Sequence, residues 1–228
     1  MEKSNQNYYD EKLSAQRLQR CYEIAPPRIK QYLQAEIDHV CSFIQPGHRV
    51  LELGCGYGRV LDYLIKNTAN VFGMDLSMAS LVMAKREMQN SHRIKLAQMN
   101  ATDLGFKDNA FDLVCCIQNG ISAFKVDNLK LLSEAVRVTR SRGIVLFSTY
   151  VRDFWKSRLE WFEIQAKEGL LGEIDYNKTG DGEIVCKDGF KATTYSPQEL
   201  ANIAQRLNHT PDIYEIDSSS LFLKIIVP

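Results

Sequence analysis

No apolar run in this 228-residue chain approaches the ~20 residues that a helix needs to cross a bilayer. The first ten residues are polar and lack the apolar core of a secretion signal. Both absences lead us to expect a cytoplasmic protein that does not engage a membrane. Net charge is missing as well: 28 Lys and Arg balance 28 Asp and Glu. With no long basic tract, nucleic-acid binding gets no electrostatic support. Arg137, Arg140 and Arg142 cluster, but around the expected end of a helix, where cations complement the dipole. Six cysteines are present and none forms a C-x-x-C pair. Cys115 and Cys116 should point to opposite faces of a strand. Zinc and disulfide frameworks are therefore poor readings, and reduced, mostly buried thiols are expected. Histidine is scarce, and His39, His48, His92 and His209 all fall away from the loops where a base would sit. No metal site and no catalytic base is assigned.

What the chain does have is Val50-Leu51-Glu52-Leu53-Gly54-Cys55-Gly56-Tyr57-Gly58. The first four residues read as a buried strand. Val60, Leu61, Leu64 and Ile65 then recur at helical spacing. The glycines thus form the turn between a parallel strand and its crossover helix, where backbone can approach a ligand unobstructed by Cβ. Free amide N–H groups at the helix start face the same place. A dinucleotide fingerprint needs G-x-G-x-x-G, but Arg59 stands at the third glycine. A phosphate-binding P-loop needs Gly-Lys-Ser/Thr, which is absent. Glu52, ahead of the glycines, would repel phosphate and suits an ammonium; it could also simply pair with Arg59 or Lys66. Asp75 ends the next apolar strand. It can accept from both hydroxyls of an unphosphorylated ribose, or cap the helix that follows. A ligand with a ribose, an amino-acid tail and no phosphate fits this set: S-adenosylmethionine.

Four segments then carry a resemblance to the class I S-adenosylmethionine-dependent methyltransferases, in particular their small-molecule, ubiquinone/menaquinone-biosynthesis-like group. They are the glycine turn; Gly73-Met74-Asp75-Leu76-Ser77; Asn100-Ala101-Thr102-Asp103-Leu104-Gly105-Phe106; and Phe111-Asp112-Leu113-Val114. Order and spacing match from about residue 50 to 150. The resemblance implies cofactor contacts at Glu52, Gly54, Cys55, Gly56, Tyr57, Gly58, Asp75, Leu76 and Ser77. It implies further contacts at Asn100, Ala101, Thr102, Gln118 and Asn119, and from Tyr9 on an N-terminal segment that folds over the cofactor in related enzymes. Asn100 departs from the aspartate usual in the family, but an amide both donates and accepts. The product would be S-adenosylhomocysteine. An Asn/Asp-Pro-Pro-aromatic motif after the fourth strand would mark nucleobase methylation, and it is absent.

Elsewhere, helices are expected at 11–22 and 28–43, split by Pro26-Pro27, and at 78–89, opened by Ser77. Another, capped by Asp127, runs to about Thr139 and should bury Leu129, Leu132, Val136 and Ala135. Strands are expected at 50–53, 71–74, 94–99, 111–117 and 144–150, with two more at 213–216 and 221–227. Such α/β alternation implies a doubly wound, mostly parallel sheet with right-handed crossovers. With the resemblance, this becomes a seven-stranded Rossmann-like sheet whose last strand is antiparallel. We expect a single domain: an N-terminal helical arm or lid (1–45), a cofactor-binding core (46–150), a substrate-side insertion (151–195), and a C-terminal helix and hairpin (196–228). Asp188-Gly189 is a plausible hairpin turn, and Ser196 with Glu199 a capping box.

Tyr8, Arg28, Tyr150, Trp155 and Trp161 are the candidate acceptor contacts, though packing of the insertion onto the sheet accounts for the aromatics equally well. The expected reaction is methyl transfer to a small molecule by in-line displacement, driven mainly by positioning. Two alternatives stay open. One is a non-catalytic sensor or accessory protein that binds S-adenosylmethionine or S-adenosylhomocysteine. The other is methylation of a protein or a metalloid, the last only if folding gathers Cys21, Cys41 and Cys186.

Overall fold

The computed structural model describes residues 8, 12–88 and 91–228. Its centre is a seven-stranded sheet in the order β3-β2-β1-β4-β5-β9-β8. The strands are β1 (Arg49–Leu53), β2 (Asn70–Asp75), β3 (Ile94–Gln98), β4 (Phe111–Cys116), β5 (Thr139–Tyr150), β8 (Asp212–Ile216) and β9 (Ser220–Ile226). Pairing is parallel from β3 to β5; β9 runs antiparallel between β5 and β8. The sheet is the one expected, including its antiparallel last strand. Strand order reverses between β1 and β4, where open α/β sheets bind ligands beyond their carboxyl ends.

The central strands are buried on both faces, and alternate residues feed two cores. Leu51, Leu53, Val114 and Cys116 join one; Val50, Leu113 and Cys115 join the other. The adjacent cysteines therefore lie on opposite faces. Gly73 makes the close packing of β2 workable. A Cβ there would stand 2.6 Å from Leu61 Cδ1 and 2.8 Å from Cys55 Sγ.

Helices α1 (Ala15–Glu23) and α2 (Pro27–Cys41) precede the sheet. Two short turns, α3 (Leu61–Leu64) and α5 (Gly120–Ala123), follow β1 and β4, while α4 (Met78–Glu87) and α6 (Asn128–Val138) complete the crossovers. Ser77 caps α4 by accepting from the Ser80 amide at 3.3 Å, and Asp127 caps α6 through Leu129 N–H at 2.9 Å. The buried stripe of α6 is Leu131, Leu132, Ala135 and Val138, with Leu129 and Val136 only half-buried. That rotation corrects the expectation from sequence.

Arg140 and Arg142 also differ from expectation. Both lie in β5, which begins at Thr139 rather than at residue 144, and Arg140 pairs with Asp112. Arg137 does more than cap. It donates to Glu134, to Asp108, and to the Leu104 and Phe106 carbonyls, pinning the loop before β4.

After β5 come α7 (Trp155–Lys167), a short hairpin of β6 (Ile184–Val185) and β7 (Lys191–Ala192), and α8 (Pro197–Gln205). Gly189, at φ +96°, turns the hairpin at the expected Asp188-Gly189. Ser196 and Glu199 form the capping box. Arg158 is fully buried and ties α7 to the hairpin, donating to the Gly182 carbonyl at 2.7 Å and the Ala192 carbonyl at 2.8 Å. No helix among the described residues is long and apolar enough to cross a membrane.

Arg137→Ala removes the hydrogen bonds to Leu104, Phe106 and Asp108 that hold the loop before β4, so urea unfolding should report a loss of about 2 kcal/mol. Arg142→Ala, at an exposed position, should stay within about 0.5 kcal/mol of the parent.

Candidate cofactor and acceptor site

The turn after β1 owes its shape to three left-handed glycines, Gly54 (φ +74°), Gly56 (φ +51°) and Gly58 (φ +89°). The Met74 carbonyl accepts from both Gly54 and Cys55 N–H at 2.9 Å, seating the turn on the end of β2. Asp75 adds a second tie: Oδ2 accepts from Gly56 N–H and Oδ1 from Ser77 N–H, each at 2.8 Å. Asp75 thus organises the turn and the start of α4 together.

Above the turn lies a cavity of about 150 Å³. Glu52, Gly54, Cys55, Gly56, Tyr57, Asp75, Leu76, Ser77 and Gln118 line it, so nine of the expected contacts converge. Gly58 does not; it faces Met88, whose Sδ would stand 2.4 Å from a Cβ. Asn100, Ala101 and Thr102 stay outside the wall. Asn100 Oδ1 instead accepts from Thr102 N–H at 3.0 Å and Thr102 Oγ1 at 2.9 Å, closing a local turn. Tyr9 lies outside the described residues.

Glu52 is the anomaly of this cavity. It is 4% exposed, and its Oε2 has no hydrogen-bond partner. Burial pushes its carboxyl up to about 8, against a downward pull from Arg59 and an upward push from Asp75. Arg59, at the third-glycine position, does not hydrogen-bond to it. The guanidinium donates to Gln118 Oε1 and lies 4.2 Å from the Tyr22 ring centroid. The residue that excludes a dinucleotide fingerprint therefore bridges the β1 turn to the end of β4.

There, Gln118 and Asn119 are both left-handed, at φ +59° and +62°. Consecutive non-glycine residues in that region carry strain and need outside support. Glu36 on α2 supplies part of it: its Oε2 accepts from Gln118 N–H at 2.6 Å and from Ser148 Oγ at 2.8 Å. Asn119 donates to the Thr193 carbonyl at 3.0 Å and accepts from Thr149 Oγ1 at 2.8 Å. Glu36 is fully buried, and burial raises its carboxyl to about 7 despite these bonds. Sequence alone gave no sign of Glu36, because a single acid in an amphipathic helix reads as surface.

The arm roofs the cavity. Leu13 and Leu18 of the arm line it, and Leu18 Cδ2 lies 3.1 Å from where a Gly56 Cβ would be. The arm is joined to the insertion by Trp161 Nε1–H to the Cys21 carbonyl at 3.0 Å and by Arg17 to the Leu170 carbonyl at 2.9 Å. Where they meet is a second, narrower slot of about 50 Å³, sharing Leu13, Leu18, Tyr22, Gln118 and Ala123 with the first. Tyr150 and Trp161 line it. Tyr8, Arg28 and Trp155 do not. Tyr8 donates to Asp188 Oδ2 at 2.6 Å, and Arg28 pairs with Asp217 at 2.5 Å. Trp155 faces an open groove beyond Arg158. The site residues missed from sequence, Leu13, Leu18, Phe124 and Gln165, are apolar or neutral and carry no motif.

Residues 50–143 match the family model of a methyltransferase domain. The matched segment contains the glycine turn, Asp75 and the Gln118-Asn119 turn. A 2-methyl-6-phytyl-1,4-hydroquinone methyltransferase of Synechocystis is 28% identical over 158 residues, covering 65% of this chain and 49% of that protein. A ubiquinone biosynthesis O-methyltransferase of Aliivibrio fischeri is 28% identical over 139 residues, covering 58% of this chain and 57% of that one. The chain spans about half the length of these relatives. In fold, it resembles magnesium protoporphyrin IX methyltransferase of Synechocystis, solved with bound S-adenosylhomocysteine, at TM-score 0.66 and 16% identity over 98% of both chains.

Glu52 and Glu36 set a pH dependence. Both carboxyls hold their proton in the folded chain to pH values at which the unfolded chain has released it. Stability therefore falls as pH rises from about 4.5 towards 7 and 8, and levels off above. Glu52→Gln should match the parent at pH 4.5 and exceed it at pH 8.5 by on the order of 2 kcal/mol in urea unfolding. An equal difference at both pH values would mean that Glu52 is not held protonated.

Proposed function

We propose that this chain transfers a methyl group from S-adenosylmethionine to a small organic acceptor. The observation that carries the reading is the Glu52 carboxyl. It is buried beside a glycine-walled cavity, one of its oxygens lacks a partner, and no phosphate cradle is nearby. A buried carboxyl in that state is strongly stabilised by a ligand cation. The amino group of S-adenosylmethionine is such a cation. Asp75 lines the same cavity, and a carboxylate there suits ribose hydroxyls. Gly54 and Gly56 leave room for the ligand's approach.

The bound cofactor would supply a methyl group on a sulfonium, ready for in-line attack. The chain's own part is positioning. Gln118, fixed by Glu36, Ser148 and Arg59, stands at the boundary between the two cavities. Tyr22 and Gln118 belong to both walls, so a nucleophile in the slot abuts the cofactor cavity. No histidine lines either cavity, and orientation with water exclusion is the main source of rate. A sensor protein would need only the first cavity; the adjoining slot favours the enzyme reading. The hydroquinone- and ubiquinone-related relatives favour a small organic acceptor in the same way.

Calorimetry should find S-adenosylmethionine and S-adenosylhomocysteine binding more tightly than NAD; tighter NAD binding would overturn the reading. Asp75→Ala should weaken S-adenosylhomocysteine by roughly one to two decades, and Asp75→Asn by less. An unchanged affinity in the alanine variant would limit Asp75 to organising the turn.

The cavity of about 150 Å³ lies below the usual ~300 Å³ of ligand pockets, and we expect Leu13 and Leu18 to move on entry. Hydrogen exchange should show residues 12–23 gaining protection with S-adenosylhomocysteine, at least as clearly as residues 54–58. Protection confined to the glycine turn would make the arm a fixed wall.

A further inference from the structure

The narrower slot has a chemical character of its own. Its walls are aromatic: Tyr22, Tyr150, Trp161, Phe162 and Phe190. Its polar groups are nearly all engaged by the protein. Of its three side-chain amides, Gln118 bonds the Leu33 carbonyl and Arg59, and Asn119 bonds Thr193 and Thr149. Ser122 accepts from Thr193 N–H at 2.9 Å. The third amide, Gln165 on α7, is 3% exposed and makes no side-chain hydrogen bond to any described residue. A side-chain amide that lines the slot without a protein hydrogen-bond partner is open to hydrogen bonding with a ligand there.

Charge limits what the ligand can be. No carboxylate lines the slot, and the one cation that does, Lys191, is paired with Glu183 at 2.7 Å. An aromatic cage would ordinarily suit an ammonium. Here cations already occupy the rings: Arg59 lies 4.2 Å from the Tyr22 centroid, and Arg158 lies 4.8 Å from Tyr150 and 5.7 Å from Phe162. A cationic acceptor would meet like charge, and an anionic one would find no free counter-ion in the wall. Lys125 does not line the slot, and burial, with the nearby Lys191 charge, lowers it to about 8.

We propose that this slot selects an uncharged, flat, largely apolar acceptor bearing a hydroxyl or carbonyl group, and that Gln165 is the specificity-determining residue that orients it. This rests on the methyl-transfer reading. An amide supplies one donor and one acceptor side by side, which matches a hydroxyl or carbonyl and discriminates against a bare hydrocarbon. The slot of about 50 Å³ is too small for an aromatic ring, since a benzene-binding cavity is ~150 Å³. Leu13 and Leu18 line both cavities, so one arm movement opens both.

The test uses the full chain and four probes built on one ring system: 2-naphthol, 2-naphthoate, 2-naphthylmethylammonium and 2-methylnaphthalene. Fluorescence titration is run with and without saturating S-adenosylhomocysteine. 2-Naphthol should bind at least about ten-fold more tightly than either charged probe. Gln165→Leu preserves bulk and removes the amide. It should weaken 2-naphthol by about three- to ten-fold, leave 2-methylnaphthalene within about two-fold, and leave S-adenosylhomocysteine unchanged, since Gln165 does not line the first cavity. A charged probe that matches 2-naphthol overturns the proposal, as does a Gln165→Leu variant that loses both neutral probes equally or neither. If Gln165→Leu fails to fold, the ranking on the parent chain still decides the charge selection. Failure of the parent to bind S-adenosylhomocysteine would overturn the methyl-transfer reading instead, with the probe ranking in its absence still judging the slot.

Discussion

The Met74 carbonyl, accepting from Gly54 and Cys55 N–H together, is the constraint from which the site follows. It makes the chain leaving β1 turn across the end of β2 instead of continuing. Only left-handed residues follow that path without a steric cost, which is why glycines alternate there. Once the turn is seated, Asp75 is within reach of Gly56 N–H, and Glu52 is drawn below the surface with an oxygen unsatisfied. The same packing needs Gly73, because β2 passes against Leu61 and Cys55 with no space for a Cβ. Turn, acid and cavity are consequences of one close approach between two strand ends.

Charge below the surface distinguishes this chain from a merely well-packed α/β sheet. Glu36, Glu52 and Arg158 are all nearly or fully buried. Such groups weaken a fold unless hydrogen bonds or neighbouring charges compensate. Arg158 is compensated by two carbonyls and three aromatic faces, and it fixes the hairpin over the sheet. Glu36 is compensated in part by the left-handed Gln118 turn that it stabilises. Glu52 is the least compensated of the three, and it faces the larger cavity.

The arm and the insertion, which lie on either side of the core segment in sequence, meet over the sheet. Trp161 to the Cys21 carbonyl, Arg17 to the Leu170 carbonyl and Tyr8 to Asp188 join them directly. The two cavities share Leu13, Leu18 and Tyr22 of the arm, while the insertion lines only the narrower one.

The sequence by itself determined the sheet, the glycine turn and the acids flanking it. Those features rest on local patterns: period-two burial, helical spacing, caps such as Ser77, Asp127 and Ser196, and backbone positions that only glycine tolerates. It did not determine which side chains reach a common point across long separations. Arg28 read as an acceptor contact until packing brought Asp217 beside it, and Tyr8 until Asp188 did. Glu36 and Gln165 read as ordinary helical polar residues. Only the tertiary structure turned them inward, one beneath Gln118 and one into an aromatic slot. Burial of a lone polar group is set by what the rest of the chain packs on top of it, and no local pattern encodes that.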